Sequence, residues 1–441
     1  MRIKLHFVSR VEDFRKVIAE WFTRTLPEIH ERDIDIPLDV DVVVSIVGPR
    51  RSGKTFMVYS LISKLRRFVP TRNVLYINME HERLRHLSAE DLGDLITAYY
   101  EIGKPDHMKP IYLFLDEIQV VDGWSRWINR IYESKNYHIY LTGSTSQLLS
   151  REIATEMRGR SVSYTVFPYS YREILKLRDI DIADTEILAI SEKRGEIIAV
   201  LEEYLQHGGY PEILDNPQIR EKLLQSYIDA IVLRDVGERF NVEPLLLSYM
   251  FEYLSSSYSK YFSGSKAYQF LRTIKYPVGK DRPLQVLSYF NEALSVFPVE
   301  IFSRGSRAGK QYPRKIYLAD NGLIASMNGD VDYGRGMENL VFIELCRRSE
   351  LFTKFNVFYW REYGKSEGRE VDFVIVKGGR VSELINVSYI RSREDVMEGE
   401  TVGLEMASRE LKCNHKTIIT WDYGENGNIR YIPLWEWLLE K

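Results

Sequence analysis

Two runs carry residue types that can do chemistry together. GPRRSGKTF, residues 48–56, fits the pattern GxxxxGK[ST]. Gly48 and Gly53 let the chain curl so that successive backbone N–H groups point inward, and Pro49, Arg50, Arg51, Ser52 and Phe56 fill out a cradle for phosphate oxygens. A helix opening at Lys54 adds the positive end of its dipole. In such a cradle Lys54 reaches the β- and γ-phosphates, and the Thr55 hydroxyl ligates Mg2+. The second run, IYLFLDEIQ at residues 111–119, ends a row of apolar residues in Asp116 and Glu117. Asp116 would hold the metal through water, and Glu117 would be the base polarising the attacking water. A glutamate directly after the metal aspartate favours ATP hydrolysis over a GTP switch.

Further candidates follow along the chain. HIYLTGSTSQLL begins at His138 and runs through Thr142, Gly143 and Ser144. If its strand lies between the phosphate loop and the Asp116 strand, the Thr142 hydroxyl can sense the γ-phosphate; it can equally cap a following helix. Arg158 and Arg160 precede another strand and read either as an arginine finger, in cis or toward a neighbouring subunit, or as surface salt-bridging residues.

The elements that must position these groups are legible in the pattern. Residues 42–47 read as a buried strand, and Phe56, Tyr59, Ile62 and Leu65 share a helical face. Residues 73–79 supply another strand. An amphipathic helix at residues 11–22 packs on the sheet, Ser88 and Asp91 stand at capping-box spacing, and Trp124, Trp127, Ile128 and Ile131 form a core stripe.

GPRRSGKT, FLDEIQ, YLTGSTSQLL, MRGRSVSYTVFPYSYREIL and YLQHGGYPEIL, in this order, resemble the archaeal and bacterial AAA-like predicted ATPases. YLADNGLIAS and GRGMENLVFIELCRR resemble the C-terminal half of that family. The likeness implies an α/β chain: a P-loop NTPase parallel sheet (AAA-like, ASCE) in residues 1–167, a helical lid in 168–243, a winged helix in 244–329 and a restriction-endonuclease-like α/β domain in 330–441. It implies ATP and Mg2+ as cofactors.

Composition agrees. The chain has 441 residues, 44% hydrophobic and 28% charged, ordinary values for a globular protein of two or three domains. A net charge of −3 provides no global basic field, so nucleic-acid contact must come from a local patch. Two cysteines support neither a disulfide framework nor a zinc site, and a reducing cytoplasmic compartment is expected, with no signal peptide and no membrane span.

SVFPVEIFSRGSRAGKQYPRKIYLA reads as two strands around a tip holding Arg304, Arg307, Lys310, Arg314 and Lys315 without an acid. As a wing it could lie against a phosphate backbone; hairpin tips are also charged for solubility. Downstream, the resemblance aligns Glu338 and Asp372 with the first two acids of the PD-(D/E)xK nuclease core. Asn386 and Ser388 stand where the acid and lysine belong, and Glu383 should face the other way along its strand. The expected role is therefore binding or docking rather than cutting. Three classes remain: an ATPase controlling a half that holds DNA or a protein, an ATP-gated nuclease, and a slow-turnover switch. Partner and subunit number are open.

Overall fold

The computed structural model describes residues 9–143, 159–180, 191–303, 312–362, 368–396 and 398–440. Two compact units make up the chain, one of Met1–Gly48 and Gly53–Val166, the other of Pro49–Ser52 and Phe167–Lys441.

In the first unit β1 (Val43–Val47), β2 (Val74–Asn78), β3 (Ile111–Asp116), β4 (Tyr137–Gly143) and β5 (Ser161–Thr165) form a parallel sheet ordered β2-β3-β4-β1-β5. Every residue of β1 and β3 is buried. Both faces are covered by helices, which explains unbroken apolar runs in place of alternation. The covering helices are α1 (Val11–Thr23), α2 (Lys54–Leu65), α3 (Leu92–Ile102) and α4 (Trp124–Glu133). Helix α1 buries Phe14, Val17, Ile18 and Trp21, and the Trp21 indole donates to Val74 O at 2.9 Å. In α4, Trp124, Trp127 and Ile128 are buried and Ile131 packs at the edge of the core.

The capping signal at Ser88 resolves differently. The Ser88 N–H and hydroxyl both donate to Asp91, at 2.8 and 2.9 Å, and α3 opens only at Leu92. Ser88 bridges to Asp122, and Ala89 N–H donates to Asp122 O at 2.9 Å. With this backbone committed to the segment at Asp122, the helix cannot begin three residues earlier.

The second unit starts with helices α5 (Tyr171–Leu177), α6 (Ser191–His207), α7 (Pro211–Asp215) and α8 (Arg220–Ala230). Next come α9 (Pro244–Ser256), β6 (Tyr261–Phe262), α10 (Gly264–Thr273), α11 (Arg282–Glu292), β7 (Val296–Val299) and β8 (Arg314–Leu318). The three strands form an antiparallel sheet ordered β6-β8-β7. After α12 (Asn321–Asn328) and α13 (Tyr333–Arg348) come β9 (Asn356–Arg361), β10 (Glu370–Lys377) and β11 (Arg380–Val387), with β10 antiparallel to both of its neighbours. Helix α14 (Glu398–Leu411) leads to β12 (Lys416–Thr420), parallel to β11; β13 (Arg430–Pro433) and α15 (Leu434–Leu439) close the chain. Segments 168–243, 244–329 and 330–441 share a core: Tyr204, Tyr317 and Phe342 are buried in one cluster, Tyr317 stacks on Phe342 at 4.3 Å, and both meet Phe373.

A polar knot ties the unit together where two motifs meet. Asp320 accepts from Gly209 N–H and Gly322 N–H, both at 2.7 Å. Asn321 donates to Leu205 O at 2.9 Å, and Asn339 donates to Asn321 at 2.9 Å. Burial pushes the Asp320 carboxyl up to about 7, its backbone donors pulling the other way. Gly208 has φ +75°, and a Cβ there would stand 1.7 Å from Asp320 Oδ1. Gly195, in α6, has nothing within 4 Å of its Cβ position. Gly208→Ala should therefore cost about 2–4 kcal/mol of stability. Gly195→Ala should gain roughly 0.5–1 kcal/mol. Denaturant midpoints of the two variants should move in opposite directions.

Candidate nucleotide site

The sheet order puts β4 between β1 and β3, so the loop after β1, the acids ending β3 and the hydroxyl on β4 share the carboxyl edge of the sheet, where open α/β sheets bind ligands. Gly53, the N-cap of α2, has φ +97°, a conformation glycine adopts without strain. Lys54 is 5% exposed, its ammonium donating to Gly48 O at 3.2 Å and lying 4.0 Å from Glu117 Oε1. Thr55 Oγ1 donates to Asp116 Oδ2 at 3.0 Å. Tyr76 OH donates to the same oxygen at 2.7 Å, while Thr142 Oγ1 donates to Asp116 Oδ1. Burial, and then the charge of Glu117, raise the Asp116 carboxyl above its ordinary range; the three hydroxyls act the other way. Burial first, then Asp116, raise the Tyr76 hydroxyl.

Glu117 sits in the left-handed region, φ 52° and ψ 43°. For a non-glycine residue that costs on the order of 1–3 kcal/mol, and such strain concentrates at functional positions. Thr142 Oγ1 accepts from Glu117 N–H at 3.0 Å, and Gln119 Nε2 donates to Glu117 Oε2 at 2.5 Å. One threonine hydroxyl thus fixes both acids. Phe56 is half exposed, edge-on to Tyr59. Pro49–Ser52 group with the second unit, in which Arg50 Nε lies 2.9 Å from Asp235 Oδ1 and Arg51 NH1 lies 3.0 Å from Glu212 Oε1.

Arg160 departs from the finger expectation. It precedes β5, whose first residue pairs with Val43, so it stands at the amino edge of the sheet, about 16 Å of strand from the phosphate loop. There it pairs with Glu133 at 3.3 Å. It cannot reach its own chain's γ-phosphate position. Arg158 and Ser144 lie outside the described residues.

The hairpin reading also needs correction. Arg304, Arg307 and Lys310 lie outside the described residues, and Arg314 is partly exposed beside Glu300 at 3.6 Å. Lys315 is buried, its ammonium 2.7 Å from Asp372 Oδ1, 3.1 Å from Glu338 Oε1 and 3.4 Å from Glu370 Oε1. It is unavailable to a nucleic-acid backbone because three carboxylates hold it out of water. Of the four positions that the resemblance aligned with a nuclease core, Glu338 and Asp372 share the Lys315 ammonium, Asp372 N–H donates to Asn386 Oδ1 at 3.2 Å, and Asn386 Nδ2 and Ser388 Oγ both donate to Glu400, to its O at 3.3 Å and its Oε1 at 2.5 Å. Glu383 accepts from Thr417 at 2.7 Å; the register shift in β11 falls before it, not between it and Asn386. Among the described residues no group of three His, Cys, Asp or Glu is arranged to hold a metal ion.

Residues 41–175, which contain the loop, both acids and β1 to β5, match the family described as AAA domain. Residues 198–332 match a domain of unknown function, DUF8612. An uncharacterized protein of Methanocaldococcus jannaschii is 30% identical over 426 residues, covering 93% of this chain and 91% of its own. The chain belongs to the AAA-like P-loop ATPase family. An uncharacterized protein of Haemophilus influenzae is 28% identical over 415 residues, covering 91% of this AAA-like chain and 95% of the relative. Among solved structures, the Aeropyrum pernix ORC1 protein in complex with DNA aligns with TM-score 0.29 and 15% identity, over 77% of this chain and 93% of that one.

Sequence reasoning on this AAA-like chain missed Tyr76, Gln119, Glu370, Glu400 and the role of Lys315. Tyr76 sits in an apolar strand, and only the neighbouring of β2 and β3 brings its hydroxyl to Asp116. No helix among the described residues is long and apolar enough to cross a membrane. Thr142→Val would leave Glu117 N–H without its acceptor and remove one donor from Asp116. ATP turnover should fall roughly tenfold or more, the scale of a lost hydrogen bond to a charged group. Fluorescent-nucleotide titration should show a much smaller change in affinity.

Proposed function

We propose that this chain is a Mg2+-dependent ATP hydrolase whose nucleotide state controls a C-terminal half that holds DNA or a protein partner. The convergence of Lys54, Thr55, Asp116, Glu117 and Thr142 at one sheet edge carries this reading. The residues suit the group they would hold. A buried ammonium at the loop and a Thr55 hydroxyl 3.0 Å from Asp116 are the donor set of a magnesium nucleotide site. Bound Mg2+ would neutralise phosphate charge. Lys54 would bind the β- and γ-phosphates, Thr55 and Asp116 would orient the metal, and Glu117 would take the proton of the attacking water. Thr142 would keep Glu117 turned toward that water.

Lys54→Ala should abolish ATP binding. Glu117→Gln should retain binding and lose turnover by roughly 10²–10⁴-fold, the usual contribution of a general base. Steady-state phosphate release beside nucleotide titration checks both, and parental turnover in Glu117→Gln defeats the assignment. A parent that binds ATP but releases almost no phosphate would favour the slow switch.

Two features support the reading of the C-terminal half. The order α9, β6, α10, α11, β7, β8 with one antiparallel sheet supports the winged-helix reading. The order α13, β9, β10, β11, α14, β12 brings Glu338, Asp372 and Asn386 together as a nuclease-like core would. Neutral Asn386 and Ser388 weaken both metal binding and water activation, which favours docking over cutting. With Lys315 buried, a phosphate contact at the hairpin rests on the partly exposed Arg314 and on the three residues Arg304, Arg307 and Lys310. Changing these three to Ser should weaken DNA binding and flatten its salt dependence by about one unit of slope per contact. Unchanged affinity and slope would leave the protein partner as the reading.

A further inference from the structure

Lys315 is 2% exposed, and a lysine so deeply buried must be paired. Its partners are unusually complete. An ammonium has three N–H groups, and three carboxylate oxygens lie within reach, Asp372 Oδ1 at 2.7 Å, Glu338 Oε1 at 3.1 Å and Glu370 Oε1 at 3.4 Å. Each acid also has a separate donor. Val387 N–H donates to Asp372 Oδ2 at 2.9 Å, Tyr317 OH donates to Glu338 Oε1 at 2.6 Å, and Tyr261 OH donates to Glu370 Oε2.

The ammonium lies between Glu338 and Asp372, the two acids that a nuclease-like core would turn on a divalent cation. Swinging away would strip the buried ammonium of all three carboxylates. Lys315 opens onto Ile316, Tyr317 and Leu318, all fully buried, on the central strand of the β6-β8-β7 sheet. Withdrawing the side chain's backbone would unzip that strand from both neighbours. A divalent ion entering the cluster would meet a fixed positive charge at contact distance, so ion and lysine exclude each other.

We infer that Lys315 is the built-in cation of this acid cluster: it holds the place a divalent metal would take and keeps the C-terminal site free of metal. The inference rests on the docking reading of that half and supplies its cause. The lost strand lysine at Ser388 and the lost acid at Asn386 are then two parts of a larger change, in which a side chain from β8 neutralises what remains. Glu400, held by Ser388, borders the cluster beside Asp372.

The test uses the full chain without nucleotide, so that any metal at the phosphate loop contributes equally to parent and variants. Lys315→Met removes the charge at similar length and leaves three carboxylates facing one another. Its melting midpoint should fall, and millimolar Mn2+ should raise it by several degrees more than it raises the parent's. Adding Asp372→Asn to Lys315→Met should abolish the Mn2+ response. A Lys315→Met protein that folds but ignores Mn2+, or that fails to fold even when refolded with Mn2+, overturns the inference. So does a parent stabilised by Mn2+ through Asp372, since metal and lysine would then coexist. Plasmid incubated with the parent and Mn2+ separates the two levels of argument. Intact plasmid with an unresponsive Lys315→Met sinks only this inference, whereas cutting that vanishes in Asp372→Ala sinks the docking reading itself.

Discussion

Charge taken out of water must be answered by partners, and three buried groups, Asp116, Asp320 and Lys315, impose that requirement on most of the architecture. Asp116 is met by the hydroxyls of Thr55, Tyr76 and Thr142, which arrive from α2, β2 and β4. Asp320 is met by the backbone of Gly209 and Gly322, and Lys315 by acids on α13 and β10. In each case the answering groups come from different segments of the chain. An uncompensated buried charge costs several kcal/mol, so these clusters forbid many slightly shifted arrangements that apolar packing alone would tolerate.

In the first unit this requirement works with the parallel sheet. All five strands point the same way, so everything at their carboxyl ends gathers at one edge, and the chain needs only to place Gly48 to Thr55, Asp116, Glu117 and Thr142 at those ends. The opposite edge receives what begins the strands. Arg160 belongs there for this reason alone, and its pairing with Glu133 is the ordinary fate of a surface arginine. The backbone strain at Glu117 is held by the Thr142 hydroxyl, which ties the orientation of the base to the strand beside it.

The second unit is built differently. Its segments do not each close a private core; Phe342 of α13 and Phe373 of β10 pack with Tyr317 of the hairpin, and the knot around Asp320 joins α6, α12 and α13. Of the two buried cysteines, Cys346 belongs to this apolar packing and Cys413 to a separate cluster with Trp360, Leu384 and Ile418. A change in the hairpin is therefore felt by the C-terminal sheet through direct contact.

The sequence by itself determined the strands, the phosphate loop and the acids of the first unit. Those signals are local: an apolar run long enough for a strand, glycines where the chain must curl, charged residues at a strand end. The C-terminal helix and strands were readable on the same grounds, whereas the pairing of Glu338 with Asp372 was implied only by the family resemblance. What only the tertiary structure decided are meetings across many residues. Lys315 looked like one more cation on a charged tip because its neighbours in sequence are Arg314 and Pro313; its partners lie 23 to 57 residues away. Arg160 looked well placed for phosphate until strand direction put it at the wrong edge. Ser88 looked like a cap until a bridge to Asp122 claimed its backbone. Periodicity reports which face of an element is apolar, but pairing, direction and the destination of a buried charge depend on which elements become neighbours, and that is settled only when the chain packs.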